Sequence, residues 1–215
     1  MPLTRYATLA APVVASVEDR RSVFECWLRR ADDEAAARAV VQEARQTHWD
    51  ARHHCSAFLL GPAGEVARSS DDGEPSGTAG LPMLEVLRHG GLSDVVAVVT
   101  RWFGGTLLGT GGLVRAYSEA VRAALDGAVP LERELRRVAR LDVDHAEAGR
   151  LEHELRSEGV VVADVRYAAR VTLELAVPAN REEEFTQLVA RGTGGQGEVA
   201  WGSARWVDLD AGSGT

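Results

Sequence analysis

The apolar-rich stretch around Pro12 offers one or two strand candidates within residues 4–16. Apolar and polar positions then alternate from Ser22 to Leu28, placing Phe24, Cys26 and Leu28 on one face and Val23, Glu25 and Trp27 on the other. After Asp32 and Asp33, both N-cap candidates, the period lengthens. Ala37, Val40, Val41, Ala44 and His48 recur at helical spacing, so residues 34–48 are expected to form an amphipathic helix with Glu34 in its first turn. Residues 54–60 read as a strand stopped by the turn Gly61-Pro62-Ala63-Gly64, with 65–68 as its hairpin partner. A short helix is expected over 81–88, where Pro82 fits the first turn and Gly90-Gly91 ends it. Residues 94–103 are the strongest strand, because an unbroken run such as Val95-Val96-Ala97-Val98-Val99 implies burial on both faces. Leu113, Tyr117, Ala120, Val121 and Ala124 then mark a core-facing helix stripe. Arg115, Glu119 and Arg122 lie opposite, Arg115 and Glu119 being spaced as an i,i+4 pair.

Residues 126–134 read as a boundary, beyond which the pattern becomes regular. A strand over 137–143 leads through Asp144, as cap, into a helix over 146–158 closed by Gly159. Strands over 160–167 and 170–176 follow, then a helix from Pro178 and Asn180 to Ala190 and a last strand over 198–207. This βαββαβ order matches the split ferredoxin-like motif. The expected fold class is α+β: a two-layer α/β N-terminal domain over residues 1–130, a ferredoxin-like domain over 131–210 and a flexible tail over 211–215.

Two Gly-rich polar stretches interrupt the pattern. The first is Asp71-Asp72-Gly73-Glu74-Pro75-Ser76-Gly77-Thr78-Ala79-Gly80, and the second runs from Arg101-Trp102-Phe103-Gly104-Gly105 to Gly109-Thr110-Gly111-Gly112-Leu113-Val114-Arg115. A strand, a glycine turn and a helix beginning near Leu113 present backbone N–H groups to an anion, and Arg101 and Arg115 bracket the turn with forked cations. The same glycines also suit close helix–sheet packing. Nucleotide fingerprints fail: Thr110 stands where a P-loop needs Lys, and Val114 where a dinucleotide fold needs its third glycine. In the first stretch, Asp71, Asp72 and Glu74 are spaced to share a proton or a cation, or to cap a loop in which Ser76 or Thr78 starts the helix. His54 is within reach of that loop if its strand lies alongside. His48, His53, His54 and Cys55 lack a second Cys/His pair, and neighbours on a strand point to opposite faces, so no metal site is expected. Trp102, beside Arg101 and the glycines, is placed to stack a base or ligand ring, while Trp27, Trp49, Trp201 and Trp206 read as core or edge aromatics.

Charge narrows the partners. The chain of 215 residues carries a net charge of −8, with 13 Arg against 16 acids up to Pro130 and a further −5 beyond it. Neither half is basic, so only a local Arg cluster could support nucleic acid. All 24 basic residues are Arg, since the sequence holds no Lys. Two cysteines, Cys26 and Cys55, are too few for a disulfide framework and fit a reducing compartment. The stretch from Arg5 to Ser16 only weakly imitates a signal peptide, and no apolar run has membrane-spanning length. A cytoplasmic protein without membrane contact is expected.

The runs from Asp71 to Pro82 and from Arg101 to Tyr117 closely resemble the signatures of the IMPACT (YigZ-like) family, and Asp50-Ala51-Arg52-His53-His54-Cys55 resembles a third motif. The resemblance covers about residues 15–127, and the βαββαβ tail is similar to the family's bacterial C-terminal domain. It implies an N-terminal domain like translation-factor domain IV and a C-terminal domain like domain V of elongation factor G. Three positions depart from the family pattern: Val23 replaces an Arg, Trp102 a Tyr and His54 an Asn. The Gly-rich, Arg-flanked loop together with the resemblance leads to the expectation of a non-catalytic factor in translation control, associated with RNA, the ribosome or a protein partner; no cofactor is expected. An enzyme or small-anion site joining His54, Asp71, Asp72, Glu74 and Arg101 is the rival expectation.

Overall fold

The computed structural model describes residues 3–209, so the expected tail over 211–215 lies outside the described residues. Two compact units are present. One spans Tyr6–Glu132, and the other starts at Arg133 and also takes in residues 3–5.

The first unit is built on an antiparallel sheet in the order β2 (Val13–Asp19), β3 (Ser22–Arg30), β6 (Val95–Trp102), β4 (His53–Leu60), β5 (Val66–Ser70). The β6 run sits at its centre and is buried throughout Val95–Val99, as its apolar continuity requires. Val95, Ala97 and Val99 share one core with Phe24, Cys26, Leu28, Cys55 and the helices α2 (Gly80–His89) and α3 (Gly109–Asp126). These two helices and the sheet form the expected α/β body, to which another helix adds a further layer on the opposite face. Val96 and Val98 face the other way, where Trp27, Phe58 and Leu60 meet Ala37, Val40 and Ala44 of α1 (Glu34–Thr47). Asp33 caps α1 by accepting from the Ala36 N–H at 2.7 Å. Two strands flank Pro12: β1 (Arg5–Leu9) and β2.

The second unit pairs its strands in the order β10 (Val199–Asp208), β7 (Pro130–Val143), β9 (Val171–Pro178), β8 (Val161–Tyr167), all antiparallel. Helices α4 (His145–Ser157) and α5 (Glu182–Gly192) pack Leu151, Leu155, Phe185 and Leu188 against Leu141, Leu173 and Leu175. This is the split βαββαβ arrangement.

Four local expectations are corrected. Helix α3 begins at Gly109 rather than Leu113, because its first turn is exposed and carries no core contact for the apolar pattern to register. Strand β7 begins at Pro130, inside the stretch read as a boundary; its alternating charged residues masked a strand whose Glu134 and Arg136 are buried as a pair. Arg115 bonds Asp19 at 3.0 Å and Glu119 pairs with Arg122 at 3.5 Å, so the i,i+4 pair does not form. Asp144 stands at the N-cap of α4 without a side-chain cap bond, its carboxylate turned to Arg170 at 3.3 Å.

Candidate functional site

Strand alternation places Arg101, two residues beyond Val99, on the face that meets α2 and α3. Its Nη1 donates to Oε1 of Glu74 at 2.6 Å, and the Tyr117 hydroxyl on α3 donates to the same oxygen at 2.7 Å. The two side chains of the ion pair are only 8% and 4% exposed. Phe24 packs edge-on against Tyr117 at 5.1 Å and lies 5.5 Å from the Arg101 guanidinium. Arg101 Nε is buried without a partner among the described residues. The cluster ties the first Gly-rich loop to the end of β6 and to α3, and Arg101 is occupied inside the protein rather than presented at its surface. Burial pushes the nearby Cys55 thiol up to about 12 and raises the Tyr117 hydroxyl as well, so both are held protonated.

The remaining acids of that loop are also engaged. Asp71 starts α2: its Oδ1 accepts from the N–H groups of Ala79 (3.0 Å) and Gly80 (2.8 Å), and its Oδ2 from Gly77 (2.8 Å). Burial pushes its pKa up, but these three backbone donors outweigh burial and hold it below the usual carboxylate value. The helix-starting role expected of Ser76 or Thr78 thus belongs to Asp71. Thr78 donates instead to the Pro75 carbonyl at 2.6 Å, and Ser76 is exposed. Asp72, at φ 43°, accepts from the His54 N–H at 2.7 Å and from Arg45. His54 is buried beside the loop, its Nε2 3.2 Å from the His48 carbonyl, which fixes Nε2 as the protonated nitrogen. Burial, the leading cause, lowers its pKa and keeps the ring neutral at pH 7. Cys55, on the opposite strand face, bonds the Asp71 carbonyl at 3.0 Å. Among the described residues no group of three or more His, Cys, Asp or Glu is placed to hold a metal ion.

A second assembly, which the sequence reading missed, occupies the end of the sheet where β3 and β4 begin and β6 finishes. Val23 pairs with Trp102, and His53 with Arg101, so residues preceding β3 and β4 gather around the turn after β6. Arg20 and Arg21 form the two-residue tip of the β2–β3 hairpin, both at positive φ (48° and 66°). Arg20 donates to the Leu107 carbonyl and Arg21 to the Thr106 hydroxyl, each at 3.3 Å. Arg115 reaches the same tip through Asp19. Gly104 admits this approach: a Cβ there would lie 2.1 Å from the Arg21 carbonyl carbon. Around Gly105, Gly109 and Gly111, by contrast, a Cβ would meet nothing within 4 Å, so these positions leave bare backbone toward solvent; Gly112 is closed by Leu108. Trp102 packs edge-on to His48 at 5.0 Å and donates Nε1–H to Asp50 at 3.0 Å. Between those two residues Trp49 is 82% exposed, so it is no core aromatic, and Phe103 and Leu107 are exposed on the turn. Two adjacent arginines separated from flanking strands by no spacer were the available hairpin signal; without Gly or Asn it is weak.

Residues 20–125 match the Impact N-terminal domain, and residues 141–196 match a domain of unknown function (DUF1949). The chain is 37% identical to the IMPACT family member YvyE of Bacillus subtilis, over 87% of each chain. It is 38% identical to the IMPACT family member YigZ of Escherichia coli, over 84% of this chain and 90% of that one. A crystal structure described as a hypothetical protein superposes with a TM-score of 0.67 at 36% identity, covering 92% of this chain and 97% of the other. The N-terminal motifs, the two-unit architecture and these relatives agree: the chain belongs to the IMPACT family.

Proposed function

We propose that the protein is a non-catalytic cytoplasmic factor that contacts RNA, free or on the ribosome, and acts in the regulation of translation. The observation carrying this reading is the group of exposed arginines at one end of the N-terminal sheet, Arg20, Arg21 and Arg52, which have no acidic partner among the described residues. In a chain with a net charge of −8, cations kept apart from the protein's own acids are what phosphate contact requires. Exposed Trp49 and Phe103 add flat apolar surface on which bases can stack. The first turn of α3 has no side-chain cap, which leaves its N–H groups free for a phosphate oxygen. The acids of the first loop support the non-catalytic half of the reading: Asp71, Asp72 and Glu74 each hold backbone or a buried cation, leaving none free as an acid or base. The link to translation is the one implied by the resemblance of the motifs.

The test is anisotropy with a fluorescent single-stranded RNA over about 50 to 300 mM salt, together with ribosome co-sedimentation. Three phosphate contacts predict a slope of log affinity against log salt of about −2. The triple variant Arg20→Ala, Arg21→Ala, Arg52→Ala is expected to lose that slope while melting at or above the wild-type temperature. Absence of wild-type binding, or binding that the triple variant retains, overturns the reading.

A further inference from the structure

Helices α2 and α3 lie side by side on the sheet, and their outer surfaces leave a groove of about 870 Å³. Helix α2 is apolar beyond what one core-facing stripe needs. Met83, Leu84 and Leu87 face the core, yet Leu81 and Pro82 are turned to the groove, Leu81 being 54% exposed. From α3, Val114 and Leu125 line the opposite wall, and Gly77, Gly90 and Ser118 keep the floor low. At Gly90 a Cβ would come within 2.9 Å of Leu125, so that glycine lets the two helices close beneath the groove.

The polar edge has a sign. Among its lining residues Glu85, Glu119 and Asp126 stand against a single arginine, Arg122. Glu85 and Glu119 are held only by exposed ion pairs, with Arg88 at 2.6 Å and with Arg122 at 3.5 Å, which exchange partners at little cost. Asp126 has no partner among the described residues. A helix of about three turns, roughly 15 Å long, matches the ten residues of α2.

We propose that this groove docks an amphipathic helix of a partner protein, with its apolar stripe on Leu81, Pro82, Val114 and Leu125 and arginines or lysines on its flanks facing Glu85, Glu119 and Asp126. This is the helix-in-groove mode of recognition, read by i, i+3, i+4 and i+7 anchors. It is independent of the RNA contact proposed above, which uses the end of the sheet.

The probes are two fluorescein-labelled synthetic peptides of fifteen residues with the same leucine stripe, one flanked by arginine and one by glutamate, titrated into the full chain. The arginine-flanked peptide is expected to bind about tenfold more tightly, the weight of three partly exposed charge pairs. Glu85→Arg, Glu119→Arg and Asp126→Arg together are expected to reverse that preference. Leu81→Glu with Val114→Glu is expected to abolish binding of both peptides while leaving the melting temperature within a few degrees, since both side chains are solvent-facing. Equal affinity for the two peptides, no binding of either, binding that survives Leu81→Glu with Val114→Glu, or dimerisation of the chain through this face in sedimentation would each overturn the proposal.

Discussion

Glu74 takes two donors on one oxygen, Arg101 from the end of β6 and Tyr117 from α3, in a setting nearly closed to water. A buried ion pair contributes little net stability over an apolar pair, but removing one partner strands the other charge at a cost of about 3–5 kcal/mol. Glu74→Leu is therefore expected to destabilise by about that amount in urea titration, because Arg101 stays charged at any accessible pH. Combining it with Arg101→Met is expected to recover most of the loss, a strong coupling in a double-mutant cycle. Additive single and double effects would show that the pair does not lock the two loops. From the sequence, Arg101 and Glu74 were visible as chemistry-bearing residues in separate stretches. A shared surface site was among the expectations, but their burial as a pair with each other was not, since it depends on β6 pairing with β4 and on the return of the chain from Ser70. A motif scan sees the residue types; only the register tells whether a cation faces solvent or a buried carboxylate.

Elements were more legible than their ends. Period-two alternation located β3, the unbroken apolar run β6, and the 3.6-residue stripe α1 and the core face of α3, because burial imposes those patterns. The start of α3 left no apolar trace, and the β2–β3 turn left no glycine. That turn carries the clearest local conflict in the chain. Two-residue hairpins of this kind need positive φ at both central positions and favour Asn-Gly, whereas here Arg20 and Arg21 adopt φ 48° and 66°. Such conformations cost about 1 kcal/mol or more for each non-glycine residue. Replacing the pair by Asn-Gly is expected to raise stability by about 1–2 kcal/mol in thermal or urea unfolding, and at the same time to weaken RNA binding and flatten its salt dependence. A gain in stability with unchanged RNA affinity would separate the turn from the proposed function. The joint outcome would identify these arginines as residues kept for contact at the expense of local stability.

At the scale of the whole molecule, order along the chain and membership in a unit do not coincide. The core of the C-terminal unit is assembled by β7, β8, β9, α4 and α5, yet its buried carboxylate Glu134 is completed from the other end of the chain. Arg5 donates to Glu134 Oε1 from Nε at 2.9 Å and from Nη2 at 2.6 Å, while Arg136 serves Oε2 at 2.8 Å. The Thr4 carbonyl also accepts from the Leu135 N–H at 2.9 Å. Apolar periodicity could not reveal this closure, because its participants are charged and more than 120 residues apart. Arg5→Ala removes one of two cations from a carboxylate only 7% exposed, but Arg5 is itself 62% exposed, so solvent screening limits the loss to about 1–2 kcal/mol. The loss should be confined to one unit. Amide exchange is expected to accelerate in β7 and β9, with β4 and β6 unchanged, because stability is distributed in cooperative units rather than spread evenly. Equal acceleration in both sheets would mean that the two cores unfold together. Confinement to the second would mean that the first residues, although earliest in the chain, stabilise the unit completed last.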